Sequence, residues 1–370
     1  MGKQNQNANQ DAGKIVRVRR RLLKWYKRNR RDLPWRRSRD PYAIWVAEIM
    51  LQQTRVAAVV ERYQAFMARF PTLLSLAHAP EQEVLAAWSG LGYYRRARML
   101  HKAAQFVADH YQGNMPRTAA ELRLLPGIGA YTAAAVASIA YGERVAVVDG
   151  NVERVLCRME GWKAGSRAGG DSQLRRKIEE LAAELVCPKR PGDSNQALME
   201  LGATLCSPRN PQCEKCPVAN DCKTKGEHPT APRPRMIGRE VAHALTVRSG
   251  RKAGQAHREV LLEQRPVSLT VMPGLWELPA LKKNSVPEEE LCLTVRHAIM
   301  QVNYSVRIRT VSEDDIDALT VRGGVRRWVR LNDAGEMALT GLARKVLTRL
   351  HLVTAAPRDS IAPQAGNDVL

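Results

Sequence analysis

Four cysteines, Cys206, Cys213, Cys216 and Cys222, fall within seventeen residues at the spacing C-x6-C-x2-C-x5-C. Thiolates this close along a chain suit a metal or cluster better than disulfides, because short loops can wrap them around one small inorganic core. A zinc knuckle also uses C-x2-C pairs, so the spacing alone leaves zinc and an iron–sulfur cluster both open. The other three cysteines, Cys157, Cys187 and Cys292, are scattered and form no framework. Free thiols beside a four-cysteine site fit a reducing compartment and point to the cytoplasm.

Charge narrows the partners. Over 370 residues, 58 Lys and Arg stand against 37 Asp and Glu, a formal net charge of +21. Such an excess predicts a polyanionic partner bound with steep salt dependence, although charge alone is also compatible with a merely soluble basic protein. Thirteen Lys or Arg lie between Lys14 and Arg39, interleaved with Trp25, Tyr26 and Trp35. A solvated helix face would look similar, but the aromatic interleaving favours a surface near nucleic acid. The first ten residues lack the apolar stretch of a signal peptide, and no uninterrupted apolar run of about 18 residues occurs, so no membrane span is expected.

The chain is long enough for two domains, each with its own core. Residues 1–13 are polar and rich in Asn and Gln, and read as a disordered tail. From 14 to 222 helical periodicity dominates, with breaks at Pro71, Pro80, Gly90 and Gly92. A polar, proline-bearing stretch over 223–237 reads as a linker. Over 238–352 short β-type runs (Ala244–Val247, Val260–Glu263, Tyr304–Ile308, Arg327–Leu331) mix with helical segments near Glu288–Leu291 and Gly341–Leu350. That mixture predicts a small α+β domain. Residues 353–370 read as a loose tail.

Three features in the helical part carry chemistry. Leu125-Pro-Gly127-Ile-Gly129 lies between two helical segments, Thr118–Leu124 and Ala130–Ala140, together spanning 118–140. Thr118 and Glu121 have capping-box spacing. Gly127 and Gly129 allow a tight turn that exposes backbone N–H groups at the start of the following helix, where a phosphate is favoured. Asp149 ends the apolar run Val145–Val148 and opens a helix, so its plain reading is an N-cap. Glu48, on the stripe of Ile44 and Leu51, is an acid on an apolar face. It is costly there unless paired or protonated, and burial would raise its pKa into the range of a general acid. A salt-bridged core glutamate is the plain alternative.

The cysteine spacing resembles the [4Fe–4S] loop of the endonuclease III superfamily of DNA glycosylases, and Leu125–Gly129 looks like the helix–hairpin–helix by which these proteins grip one DNA strand. The resemblance implies a [4Fe–4S] cluster on Cys206, Cys213, Cys216 and Cys222. It also places Asp149 where the superfamily keeps a catalytic aspartate, and Tyr131 where its bifunctional members keep a lysine. A phenol cannot form their Schiff base. With Glu48, this set resembles the MutY-type adenine DNA glycosylase family, as do the strings Arg31-Asp-Leu-Pro-Trp35, Glu48-Ile-Met-Leu-Gln-Gln-Thr54, Gly90-Leu-Gly-Tyr-Tyr-Arg95 and Asp149-Gly-Asn151.

By that resemblance Arg31, Trp35, Leu51 and Gln196 line a pocket for a flipped adenine. Gln53, Thr54 and Tyr93 fill or flank the vacated duplex, and Asn151 helps hold Asp149 and the attacking water. The C-terminal part looks like the family's MutT-like (Nudix-fold) module, on Leu261–Pro266, Gly274–Pro279 and Arg327-Trp-Val. No Nudix catalytic box is present, so its implied work is lesion recognition. Here the chain departs from the family, whose Phe-Ser-His loop appears as Val295-Arg296-His297, keeping only His297.

The expectation is therefore a multidomain protein, an all-helical helix–hairpin–helix glycosylase domain with a cluster loop (206–222) followed by an α+β MutT-like domain. It would act as a monomer on double-stranded DNA containing A:8-oxoguanine or A:G mispairs, in a bacterial-type, nucleoid-associated setting. The implied reaction is acid-assisted hydrolysis of the N-glycosidic bond without strand cleavage. The alternatives are an endonuclease III-like lyase for oxidised pyrimidines and a non-catalytic, cluster-bearing DNA-binding protein.

Overall fold

The computed structural model describes residues 2–163, 172–226, 235–252, 255–282, 286–299 and 301–354. Among these, residues of Met1–Ala77 and Lys102–Pro232 form one compact unit, and those of His78–His101 and Arg233–Gly366 form another.

The first unit is helical. Its helices are α1 (Gly2–Asn29), α2 (Pro41–Leu51), α3 (Val56–Arg69) and α4 (Leu73–Ala77); after α5 (Glu81–Ala87), which belongs to the second unit, come α6 (Arg95–Tyr111), whose first residues also group with that unit, α7 (Ala119–Leu122), α8 (Ala130–Ala140), α9 (Gly150–Glu160), α10 (Ser172–Leu185) and α11 (Pro191–Thr204). α2 is buried on nearly every side, from Tyr42 to Met50, and α8 from Thr132 to Ser138. An apolar sequence all round the helix requires such a central position. A second core joins Val18, Leu22 and Tyr26 of α1 to Val155 and Leu156 of α9, Leu185 of α10 and Leu198 and Leu201 of α11.

Two glycines set the spacing of α11. A Cβ on Gly192 would lie 2.7 Å from the Ile139 Cα, and one on Gly202 would lie 2.6 Å from the Asn151 Cβ. Only a hydrogen at these positions lets α11 pack directly on the end of α8 and the start of α9.

In the second unit β1 (Ile237–Leu245) lies parallel to β6 (Val302–Thr310), which pairs antiparallel with β5 (Leu291–Ile299). A second sheet pairs β3 (Gln255–Gln264) with β2 (Val247–Lys252), β4 (Trp276–Glu277) and β7 (Arg326–Arg330), all antiparallel. Short helices α12 (Ile316–Leu319) and α13 (Leu331–Ala334) follow, and α14 (Gly341–Arg349) covers a core of Val260, Leu262, Val295, Val306 and Val329. This is an α+β region.

Several expectations change. α1 begins at Gly2, so the polar stretch read as a disordered tail over 1–13 forms the first turns of a helix. Residues 2–13 contain no proline, and helix propagates from the amphipathic segment that follows. The expected linker over 223–237 starts later: Lys223 pairs with Glu160 at 2.8 Å, and Thr224 Oγ1 donates to the Arg158 carbonyl at 2.7 Å. Residues 227–234, and the tail beyond 354, lie outside the described residues. Residues 78–101 group with the second unit, where Tyr94 donates to the Leu339 carbonyl (3.1 Å) and Arg344 to Ser89 (2.7 Å). Glu288–Leu291, read as helical, is a single 3-10 turn running into β5. Among the described residues no helix is long and apolar enough to cross a membrane.

Candidate functional site

A cavity of about 540 Å³ opens in the helical unit between α2, the 3-10 turn Pro34–Arg36, the first turns of α8 and α9, and the middle and end of α11. Glu48 reaches it from α2, Tyr131 from the first turn of α8, and Asp149 from the N-cap of α9. Each helix supplies one group for a local reason. Asp149 is fixed because its Oδ1 accepts the Val152 N–H at 2.7 Å, satisfying one of the orphan donors at the start of α9. Its Oδ2 accepts the Asn151 side-chain N–H at 3.1 Å. The cap and the site residue are one and the same.

Glu48 is 4% exposed. Burial pushes its carboxyl up to about 7; the Tyr131 hydroxyl and Arg36 act against that shift, while the Asp149 charge adds to it. The Tyr131 hydroxyl donates to Glu48 Oε2 at 2.8 Å. Burial and the two nearby carboxylates hold the phenol well above its ordinary pKa, so it remains a donor. The cavity therefore holds a buried acid that keeps a proton near neutrality, with the Asp149 carboxyl also lining it. A buried acid with so raised a pKa in a cavity suits acid catalysis.

The residues expected to build a base pocket, Arg31, Trp35, Leu51 and Gln196, all line this cavity, as do Asn151 and Gln53, the latter expected at the vacated duplex. Trp35 is buried and meets Tyr63 edge-on at 5.3 Å. Thr54, Tyr93 and His297 are not among its lining residues. Gln53 and Tyr93 nevertheless share a property: both have left-handed backbone, with φ of 53° and 46°. For side chains of this size such a conformation is costly and is retained where surrounding structure imposes it.

Sequence reading missed the charged floor of the cavity. Glu200 of α11, 1% exposed, accepts from the Arg31 backbone N–H, Nε and Nη2, all at 2.9 Å, and from Arg36 Nη2 at 2.8 Å. These bonds hold the Glu200 carboxyl at about 2 against the opposing effect of burial. Arg154 was also missed: it donates to Asn151 Oδ1 (2.7 Å) and to the carbonyls of Gly202 and Cys206 (both 2.9 Å). Gln52, beside Thr132 at 3.3 Å, completes the set. The signal for Glu200 was its place four residues after Gln196, on the same helix face.

The hairpin takes the expected form with one change. Thr118 and Glu121 complete both halves of the capping box. Gly127 adopts φ of 76°, which favours glycine, whereas Gly129 has an ordinary φ of −87°. Gly129 caps α8 without any side chain, and a Cβ there would meet nothing within 4 Å. Gly129 thus leaves the start of α8 uncovered, and its backbone does not require glycine.

In the basic, aromatic N-terminal stretch the rings of α1 turn into the protein, whereas Trp35, in the turn Pro34–Arg36, lines the cavity. Tyr26 and Trp35 are buried, and Trp25 packs against the core. Arg17 and Arg21 pair with Asp221, and Lys14 with Glu160. The amphipathic period of α1 places Trp25 and Tyr26 inward, so the solvated-face reading holds for that helix. Val295-Arg296-His297 is not a loop but part of β5: Val295 is fully buried opposite Val306, Arg296 is exposed, and His297 packs against Gly341. Strand alternation turns Val295 into the core, so it cannot act as a wedge. Burial and Lys345 push the His297 imidazole below its usual pKa.

A larger cleft, about 760 Å³, lies in the second unit beside Trp328, but its Glu259 and Glu313 are both paired with Arg248, which also stacks on the Trp328 ring at 4.1 Å.

Cys206, Cys213, Cys216 and Cys222 line one small, mostly apolar cavity just after α11, with Arg158 and Lys225 beside them. Arg158 Nη1 donates to Cys206 Sγ (3.4 Å) and the Gly226 N–H to Cys213 Sγ (3.3 Å). Among the described residues no three His, Cys, Asp or Glu side chains converge closely enough for a single ion. Four sulfurs around a shared cavity, supplied with N–H donors and cations, fit a wider multi-iron core better than one zinc ion.

Comparison with known proteins agrees with this arrangement. Residues 46–184 match the HhH-GPD superfamily of base excision DNA repair proteins, and residues 206–222 match the iron–sulfur binding domain of endonuclease III. The chain is 49% identical over 224 residues to the adenine DNA glycosylase of Homo sapiens, covering 58% of this chain and 40% of that one. It is 38% identical over 326 residues to the Arabidopsis thaliana adenine DNA glycosylase, covering 76% and 50%. A match to the Buchnera aphidicola (subsp. Schizaphis graminum) adenine DNA glycosylase is 36% identical over 203 residues and covers 54% and 57%. The chain thus spans about half the length of the curated relatives it matches. The structure of a thermostable thymine-DNA glycosylase superposes with a TM-score of 0.52 at 34% identity, over 57% of this chain and 96% of that one.

Proposed function

Because this chain belongs to the HhH-GPD superfamily of base excision DNA repair proteins, we propose that it is a monofunctional glycosylase that removes adenine mispaired with 8-oxoguanine and, less well, with guanine. The observation that carries this reading is Glu48, a buried acid at about 7 that receives its hydrogen bond from a tyrosine and shares a cavity with Asp149. Adenine is a poor leaving group, and protonation of a ring nitrogen lets it depart as a neutral base.

The flipped adenine enters between Trp35, Leu51, Arg31 and Gln196. Glu48 gives its proton to the ring, and the C1′–N9 bond breaks with its electron pair going to the base. Asp149, held by Asn151, stabilises the cation left at C1′, directly or through a transient ester. Water then adds to C1′, its proton returns to a carboxylate, and an abasic site with an intact backbone is released. Tyr131 stands where a lyase needs an amine, so no imine forms. Gly127 and Gly129 leave backbone donors open to a phosphate, while Gln53, Thr54 and Tyr93 occupy the opened duplex.

Cys206, Cys213, Cys216 and Cys222 would hold the [4Fe–4S] cluster, which when bound fixes the loop after α11 and its neighbouring cations for docking on DNA. The α+β unit is read as a MutT-like lesion-recognition module in which His297 is the retained family residue. The protein would act as a monomer in a bacterial-type cytoplasm, on the nucleoid.

A gel assay on A:8-oxoguanine, A:G and thymine-glycol duplexes, with and without alkali, tests this reading. Cleavage only after alkali, and only in the first two, is expected. Strand cleavage without alkali, or a covalent adduct trapped strongly by borohydride, would restore the lyase alternative. Absence of turnover on every duplex would leave a non-catalytic DNA-binding protein.

A further inference from the structure

We propose that Glu200 is a positioning residue for excision: by holding Arg31 and Arg36 on its own carboxylate, it keeps the Arg36 guanidinium from drawing the proton off Glu48. The inference rests on the reading of Glu48 as the acid. Its geometric basis is independent of that reading. Arg36, Arg31, Glu48 and Glu200 all line the same cavity. Glu200 is almost wholly buried, and both of its oxygens are engaged by the two guanidinium groups. Arg36 is held further by donating to the Arg31 carbonyl at 3.2 Å, and its guanidinium lies over the Tyr26 ring at 5.6 Å. The turn carrying Trp35 is therefore stitched to α11 through one carboxylate.

The charged and titratable groups facing Glu48 are Tyr131 from α8, Asp149 from the start of α9 and Arg36 from the turn before α2; α2 itself carries no other charge. Of these, Arg36 alone is a cation. A cation in a dry cavity favours the ionised form of a neighbouring carboxyl, and it does so less when its own charge is matched by an adjacent anion. Glu200 supplies that anion, bonded to Arg36 Nη2 at 2.8 Å. Removing the Glu200 charge therefore favours loss of the Glu48 proton.

Single-turnover excision of adenine from an A:8-oxoguanine duplex, followed from pH 5.5 to 8.5, separates this from a purely structural role. The unchanged chain and Glu48→Gln are measured first. Loss of excision in Glu48→Gln and a rate in the unchanged chain that falls as pH rises establish the acid; failure at this stage concerns the acid assignment, not Glu200. Glu200→Gln keeps the shape and removes the charge, and should move the midpoint of the fall about one unit lower, giving about tenfold slower excision at pH 8 and little change at pH 5.5. Glu200→Asp keeps the charge and shortens the arm, so its midpoint should stay with the unchanged chain even where its rate drops. Arg36→Gln should move the midpoint upward, which tests the same balance if Glu200→Gln does not fold. Equal losses at both pH values in Glu200→Gln, a midpoint in Glu200→Asp that moves as far as in Glu200→Gln, or an unmoved midpoint in Arg36→Gln would each overturn the proposal.

Discussion

Glu48→Gln is expected to stabilise the helical unit, and to do so much more at pH 8 than at pH 5.5. In the folded chain Glu48 titrates at about 7, against an ordinary 4.5 in the unfolded chain. A folded-state value that is raised means the fold holds the proton more tightly than the unfolded chain does. The stability contribution is complete below 4.5 and is lost as pH rises through about 7. At pH 8 the loss amounts to about 3 kcal/mol, and at pH 5.5 to about 1 kcal/mol. Glutamine does not titrate and can still accept the Tyr131 bond, so whatever constant difference separates Gln from protonated Glu cancels between the two pH values. The advantage of the variant should shrink by about 2 kcal/mol on going from pH 8 to 5.5, or by roughly 4–8 °C in the melting of this unit. No discount for solvent is needed because the carboxyl is 4% exposed. Thermal or urea unfolding at the two pH values, followed by helix circular dichroism, measures it. A stability difference that does not vary with pH, or one that grows at pH 5.5, would refute the picture of a buried acid held protonated by desolvation.

Other expectations follow from single contacts. Asn151→Ala removes the side-chain N–H bonded to Asp149 (3.1 Å), and should slow single-turnover excision about tenfold while leaving duplex binding intact. Gly202→Ala drives a Cβ to 2.6 Å from that of Asn151, and should cost about 1–3 kcal/mol in unfolding experiments and slow excision as well. Gly129→Ala adds a methyl group that meets no protein atom within 4 Å. Its stability should stay within about 0.5 kcal/mol of the unchanged chain, while duplex affinity falls about tenfold in a low-salt binding titration, the equivalent of one backbone–phosphate hydrogen bond.

Much of the site was legible because its signals are local. The Asp149 cap is decided within three residues of chain, as is the Thr118–Glu121 capping box. Glu48 could be singled out because helical spacing placed it on the apolar face of α2. By contrast, the clamp of Arg31 and Arg36 on Glu200 spans separations of 169 and 164 residues, which no local pattern encodes. The N-terminal rings misled for a related reason. Trp25 and Tyr26 sit among arginines in the sequence, but α1 turns both rings inward, whereas Trp35 lies beyond the helix and lines the cavity. In the second unit, Val295-Arg296-His297 could be matched to a loop only while strand pairing was unknown; its register with Val306 and Ser305 made it an edge strand of a sheet.

Local spacing was enough for most helices of the first unit, the hairpin and the four-cysteine loop, and it singled out Glu48 and the Asp149 cap, because caps, turns and amphipathic periods act over a few residues. The ionisation of Glu48 required the tertiary structure. Glu48 is an acid near neutrality because α2 is surrounded and the Asp149 charge adds to the effect of burial, which outweighs the opposing pull of Tyr131 and Arg36. Desolvation and Coulomb interactions depend on distance in space, and the chain acquires those distances only when α8, α9 and α11 close around the cavity.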